Sequence, residues 1–416
     1  MIKKKYIELD NGLTVVLCKN DKVHSFDARI LIKYGFGNKD FTSNNVVYKC
    51  EDGLAHLLEH VLIDSGPNGN VFKYFTDNYY GFNGVTHKEF TEFFIHGYED
   101  FEKNLGILIE VINNSTFTKE DVEKSKGPVL EEVRERTNVR NYEFNRTISY
   151  NLFNKDIALS GVGEFNSVKD FSYEDLRLVY DTFYKPSNEV ITVSGNFDMD
   201  SILKVIKDSF KKIKREYRTH EIIDFTDEET VRCKSSEVIN EKDLELYDIS
   251  FKLPLKEFRC DEIDRLHLYL DWYFDYNFSS KSELYKTIID KGISSYAIST
   301  SHYTSPYGNN FMIVAFLLPT SKGKEFVDLV LNELKNIKMP SNVKKDLYKK
   351  KLYFKRLLNL DSSSFLAREF ALDYLFYNKT EFPSLEELDK VSFKEMEEFL
   401  NKLDFSNYTI THQKND

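Results

Sequence analysis

The chain has 416 residues, 41% of them hydrophobic, enough for two or three domains with their own cores. A formal net charge of −11 argues against nucleic acid as a partner, since phosphate recognition needs a basic surface, and suits a basic peptide better. No apolar run approaches the ~20 residues of a membrane-spanning helix, and the four cysteines, Cys18, Cys50, Cys233 and Cys260, lie too far apart for a CxxC metal site or a disulfide framework.

The first residues, Met1-Ile2-Lys3-Lys4-Lys5-Tyr6, run into strand-like sequence without the apolar core of a signal peptide, so a cytoplasmic protein is expected. Two strands should flank the turn Asp10-Asn11-Gly12, the second over Leu13–Cys18, and an apolar strand should follow over Phe26–Tyr34. Next comes His56-Leu57-Leu58-Glu59-His60. Leu54, Leu57, Leu58, Val61 and Leu62 recur at helical spacing between Gly53 and the breaker Gly66-Pro67-Asn68-Gly69, which predicts a mostly buried helix.

On that helix, residues four apart sit about 40° from each other around the axis, so His56 and His60 can aim ring nitrogens at one ion, with Glu59 pointing the same way. Neutral imidazoles suit Zn²⁺, catalytic zinc usually keeps three protein ligands plus a water, and a carboxylate beside that water can take its proton. The order is the inverse of the HExxH zinc-hydrolase motif. With nine histidines in the chain, chance would produce an HxxEH in only on the order of one such chain in a hundred. Two histidines and a glutamate are also costly to bury without a partner, which favours a metal over satisfied core residues.

Further along, a short helix is expected near Val71–Thr76, then strands over Gly81–Thr86 and Phe90–Gly97. Amphipathic helices should follow over about Tyr98–Asn114 and from Lys119 onward. In the latter, Gly127-Pro128 should kink or restart the helix, because proline removes a backbone hydrogen bond. Helix Tyr173–Phe183 and strand Glu189–Asn196 close the first half. Phe171-Ser172-Tyr173-Glu174-Asp175, a helix, then Ser187-Asn188 and a strand are echoed by Val391-Ser392-Phe393-Lys394-Glu395, a helix, then Ser406-Asn407 and Tyr408–Thr411. The fold class is therefore α+β, with two similar α/β-sandwich halves, each a mostly antiparallel sheet packed by helices. The charge-rich, poorly periodic stretch after Lys211 places a linker at 216–243, between domains at 1–215 and 244–416. The second half has no HxxEH; its corresponding helix, near Asp261–Phe274, carries only His267, read as a packed or surface residue.

Gly53-Leu54-Ala55-His56-Leu57-Leu58-Glu59-His60, Asn83-Gly84-Val85-Thr86 and Val129-Leu130-Glu131-Glu132-Val133 together resemble the pitrilysin/insulinase metallopeptidases, a family that includes mitochondrial processing peptidase. The resemblance covers nearly the whole chain and is most specific in the first half. It implies one zinc ion per chain and two α+β halves forming one valve of a clamshell chamber that encloses a peptide. It also implies a third metal ligand at Glu132. The adjacent Glu131 would point about 100° away on a helix, and with Glu135 and Glu143 it is read as a solvated face alongside Arg134, Arg136 and Arg140. By the same resemblance, Asn83, Gly84, Val85 and Thr86 form the edge strand on which an extended peptide substrate lies by main-chain hydrogen bonds. Asn83 would orient the scissile peptide, while Gly84 and Val85 replace the family's usual alanine and aromatic. In the second half the resemblance gives Tyr296 a catalytic role in holding the substrate carbonyl, but Ile289 stands where a partnering arginine is usual.

The expected function is zinc-dependent peptide hydrolysis, with Glu59 as general base and then proton donor. A second family chain, in a heterodimer or homodimer, would complete the chamber. The alternatives are a catalytically silent scaffold subunit and a peptide-capturing module with a structural zinc. The four intact motif residues and the lack of an evident fourth protein ligand count against these.

Overall fold

The computed structural model of the protein describes residues 2–66, 69–154, 161–223, 227–240, 244–305, 311–335, 337, 342–377 and 392–415. In chain order the elements begin with β1 (Lys3–Glu8), β2 (Thr14–Lys19), β3 (Phe26–Ile32), β4 (Asp40–Ser43), β5 (Val46–Lys49), α1 (Leu54–Asp64) and α2 (Val71–Asp77). Then come β6 (Gly81–Thr86), β7 (Thr91–Gly97), α3 (Phe101–Asn113), α4 (Lys119–Thr137), α5 (Tyr142–Leu152), α6 (Phe165–Asp170) and α7 (Tyr173–Phe183). They continue with β8 (Glu189–Gly195), α8 (Met199–Lys212), β9 (His220–Ile222), β10 (Ser235–Ile239), β11 (Leu246–Pro254), α9 (Cys260–Asn277) and α10 (Glu283–Asp290). The last are β12 (Ser299–Ser305), β13 (Phe311–Pro319), α11 (Gly323–Lys335), α12 (Asn342–Leu360), α13 (Ser363–Tyr377), α14 (Phe393–Asn401) and β14 (Tyr408–Lys414).

The architecture is α+β, built as two sheet-and-helix units. In the first unit the strands run β1-β2-β8-β3-β7-β6, antiparallel except for the β2/β8 pair. All seven residues of β3 are buried. Strand alternation sends Ala28, Ile30 and Ile32 into the main core shared with α1, α3 and α7. Leu31 faces the opposite way and meets Leu366, Phe370 and Ala371 of α13, far along the chain. On that face Arg29 bonds Asp27 (Nε to Oδ1, 2.7 Å), Glu92 (Nη1 to Oε2, 2.9 Å) and Ser364 (Nη2 to Oγ, 2.6 Å). His87 and Arg368 close on the other Glu92 oxygen at 2.9 and 3.1 Å. A buried guanidinium is tolerable only with such a complete set of partners, and this set pins α13 to the sheet.

The second unit repeats the scheme. Its sheet runs β10-β14-β11-β13-β12, with a parallel β10/β14 pair followed by antiparallel neighbours. The repeat legible in the sequence is physical. Ser172 and Ser392 each cap their helix by accepting from the backbone N–H three residues on, and Asn188 and Asn407 each use Nδ2 to tie the following strand to backbone carbonyls. The helix after β11, α9, carries the half-buried His267, whose Nδ1 lies 2.9 Å from Nδ1 of His302 on β12, a packed arrangement.

Three features differ from the sequence reading. The contacts divide the chain into units that interleave: Thr137–Leu159 belongs with the second and Phe354–Pro383 with the first, because each buries its apolar face there. The 216–243 stretch carries two strands, β9 on β4 and β10 on β14, which its charge conceals. Finally, α4 passes through Gly127-Pro128 as one 19-residue helix; both residues are exposed, so water can satisfy the carbonyl that Pro128 leaves free. Pro67 and Asn68 of the expected breaker lie outside the described residues. Among the described residues no helix is long and apolar enough to cross a membrane.

Although burial opposes it, the bond from His87 and the charges of Arg368 and Arg29 lower the Glu92 carboxyl to about 2. A carboxylate lowered by folding stabilises the native state above its unfolded range, and that contribution is lost as pH falls through the folded value. Asp27, raised chiefly by its own burial, acts in the opposite sense. Denaturant unfolding at pH 7, 5 and 3 should therefore show acid destabilisation in the parent that is visibly flatter in Glu92→Gln.

Candidate metal centre

Helix α1 begins at Gly53, whose φ of 96° lies in the left-handed region. A Cβ here would stand 2.8 Å from both the Gly163 Cα and the Val162 carbonyl oxygen, so only glycine lets the chain enter the helix against that backbone. Leu54, Leu57, Leu58, Val61 and Leu62 are buried in the core. The remaining stripe of the helix carries His56, His60 and Asp64, four residues apart and thus one above the other.

Helix α4 supplies the facing groups. Ser125 and Glu132 are seven residues, about two turns, apart and so share a face. Ser125 Oγ donates to Asp64 Oδ2 at 3.0 Å, and Glu132 Oε2 lies 3.4 Å from His56 Nε2 and 3.6 Å from His60 Nε2. The three ligand atoms fall within 4.8 Å of one another. Tetrahedral bonds of the usual zinc length separate neighbouring ligand atoms by about 3.3 Å, so two imidazoles and a carboxylate are already spaced to fit such an ion. The other oxygen of Glu132, Oε1, is 3.4 Å from Arg136 Nη2. Its carboxyl is pulled well below the ordinary range, by His56 first and His60 next. Burial lowers His60, but Glu132, Glu59 and Asp64 outweigh it and raise the ring.

Glu131 points away, two-thirds exposed, and pairs with Arg134. The acid that reaches both imidazoles is therefore Glu132. Arg136 is not merely part of a solvated face, since it holds the second Glu132 oxygen. Glu143 lies on a separate helix, α5, in the other unit. The Asp64–Ser125 tie was missed from sequence, although the stripe His56, His60, Asp64 was there to be extended by one turn.

Glu59 is buried, 5% exposed, and accepts a 2.6 Å bond at Oε2 from Thr86 Oγ1. Thr86 ends β6, the outermost strand of its sheet, whose other edge carries no partner strand among the described residues. Alternation puts Phe82, Gly84 and Thr86 on the face of α1 and α2, where Phe82 stacks on Phe75, and Asn83 and Val85 on the opposite face. Of the four expected substrate-strand residues, the structure thus brings Gly84 and Thr86 to Glu59, and any part Asn83 plays beside the motif helix must run through its backbone. Tyr296 is half exposed in the segment before β12, its N–H donating to Ser294 Oγ, and Ile289 is exposed on α10, both in the second unit.

Comparison with known proteins fits this arrangement. Residues 48–155 match the family model for insulinase (peptidase family M16) and residues 170–350 the model for the M16 inactive domain. The chain belongs to the pitrilysin/insulinase, or M16, family. This M16 chain is 23% identical over 408 residues to the uncharacterised zinc protease YmfH of Bacillus subtilis, covering 95% of this chain and 92% of that one. It superposes on a putative M16-like peptidase from Alicyclobacillus acidocaldarius with a TM-score of 0.86 at 21% identity, covering 100% and 99% of the two chains. With the periplasmic protease PqqL of Escherichia coli the TM-score is 0.76 at 17% identity, covering 100% of this chain but 48% of PqqL.

The tight entry at Gly53 gives a direct test of how the M16 motif helix is anchored. Gly53→Ala should destabilise the protein by about 2 kcal/mol, from left-handed strain plus the backbone clash, read as a lower urea midpoint at unchanged slope.

Proposed function

We propose that this chain is a zinc-dependent endopeptidase that cleaves short or unfolded peptides, a reading carried by the convergence of His56, His60 and Glu132 beside a buried Glu59. His56 Nε2, His60 Nε2 and a Glu132 oxygen would hold one zinc ion, which supplies Lewis acidity for the scissile carbonyl and lowers the pKa of water. Glu59 accepts the proton of the attacking water on its carboxylate and delivers it to the leaving amide nitrogen. The edge of β6 that has no partner strand among the described residues would accept an extended peptide by main-chain hydrogen bonds, which suits a substrate defined by conformation more than by sequence. A silent scaffold would have no need of an intact ligand set with a base beside it.

Metal analysis of the purified chain should find about one zinc. His56→Ala, His60→Ala and Glu132→Ala should each lose it, whereas Glu131→Ala keeps it. Glu59→Gln should retain zinc and peptide binding but lose hydrolysis by two or more orders of magnitude, on the order of the loss usual when a general base is removed or beyond it. Stoichiometric zinc in both histidine variants would refute the site.

The chain matches all of itself to under half of PqqL, and by the family resemblance Ile289 stands where a partnering arginine would be expected. Both support an active species of two chains, with a heterodimer partner supplying the missing polar contact around the developing oxyanion. Light scattering run alongside peptide turnover should find activity only in the dimeric fraction. Full turnover by a strict monomer would exclude this assembly and leave Tyr296 to act without an arginine.

A further inference from the structure

We infer that Thr86 is a positioning residue for Glu59: its hydroxyl holds one carboxylate oxygen so that the other is the one presented for proton transfer. The inference rests on the peptidase reading and assigns Thr86 a side-chain task distinct from lining a substrate strand.

Three observations carry it. Thr86 Oγ1 donates to Glu59 Oε2 at 2.6 Å, within the range of a charge-assisted O–H to carboxylate bond, and no other hydrogen bond to Glu59 is present among the described residues. Gly84, on the same face of β6, comes so close that a Cβ would stand 2.8 Å from Glu59 Oε1 and 2.9 Å from its Cγ. The carboxylate is thus bracketed between positions 84 and 86, with Oε2 occupied and Oε1 left as the open acceptor. The bracket is stiff as well. β6 is paired residue for residue with β7, with Thr86 opposite Thr91 and Gly84 opposite Phe93, and a β-branched side chain has few rotamers to exchange. A glutamate left unbracketed on its three rotatable bonds would spend little time aligned with the reacting atoms.

The test compares Thr86→Val, which keeps the shape and removes the hydroxyl, with Thr86→Ser, which keeps the hydroxyl. Thr86→Val should retain zinc and KM while kcat falls roughly 10- to 100-fold, as expected for misalignment of a catalytic group, and Thr86→Ser should recover kcat to within a few-fold. The metal-free protein gives a readout independent of turnover. Thr86→Val should lower the melting temperature by about 2 °C when Glu59 is present, and by clearly less in a Glu59→Ala background. Equal shifts in both backgrounds, a Val variant with parental kcat, or a Ser variant no better than Val would each overturn the inference. If the zinc-loaded parent cleaves no peptide, the peptidase reading falls, and the catalytic role of Thr86 with it. Equal melting shifts beside an active parent would remove only the Thr86 bond.

Discussion

Two imidazoles and two carboxylates packed beside an apolar helix face would be expensive to bury apart from one another, and the protein spends its local geometry on keeping them together. Glu132 meets His56 and His60 through one oxygen while Arg136 meets the other, and one step along the same pair of helices Ser125 bonds Asp64. These contacts fix how α4 lies along α1. Once that is set, the two ring nitrogens and the Glu132 oxygen lie within 4.8 Å of one another, all on elements of the first unit.

Around this pair the first unit behaves as a support. One sheet face carries α1, and the other is closed by α13, delivered from far along the chain and locked by Arg29, Glu92 and Arg368. β7 links the two, since Glu92 belongs to the α13 network while its neighbour strand β6 presents Thr86 and Gly84 to Glu59. β6 is thus packed against α1 on one face and has one edge without a partner strand among the described residues.

The second unit is built to the same plan, down to the capping serine and the strand-tying asparagine, yet its helix α9 has no paired histidines in the motif spacing. The plan of the fold and the presence of the site are therefore separable. The helix-capping serine and a single parallel pair in an otherwise antiparallel sheet are features both halves share, while the paired histidines in motif spacing stand in the first half alone.

Much of this was legible in the sequence. The HxxEH spacing dictates that His56, Glu59 and His60 share a helix face, because helical periodicity is local and acts within a few residues. The same locality exposed α1, α7, β3, β6 and the repeat of Ser172 in Ser392. Glu132 was nominated through family resemblance, but its preference over Glu131 became physical only when α4 docked and turned one acid toward the imidazoles and the other toward Arg134. The return of α13 to the first sheet, the strands hidden in the charged 216–243 stretch and the bond from Thr86 to Glu59 all depend on partners distant in the chain. The sequence determined which groups could act because spacing and periodicity are properties of a segment alone. Only the tertiary structure decided which of them meet, because contacts between distant segments are selected by the packing of the whole unit.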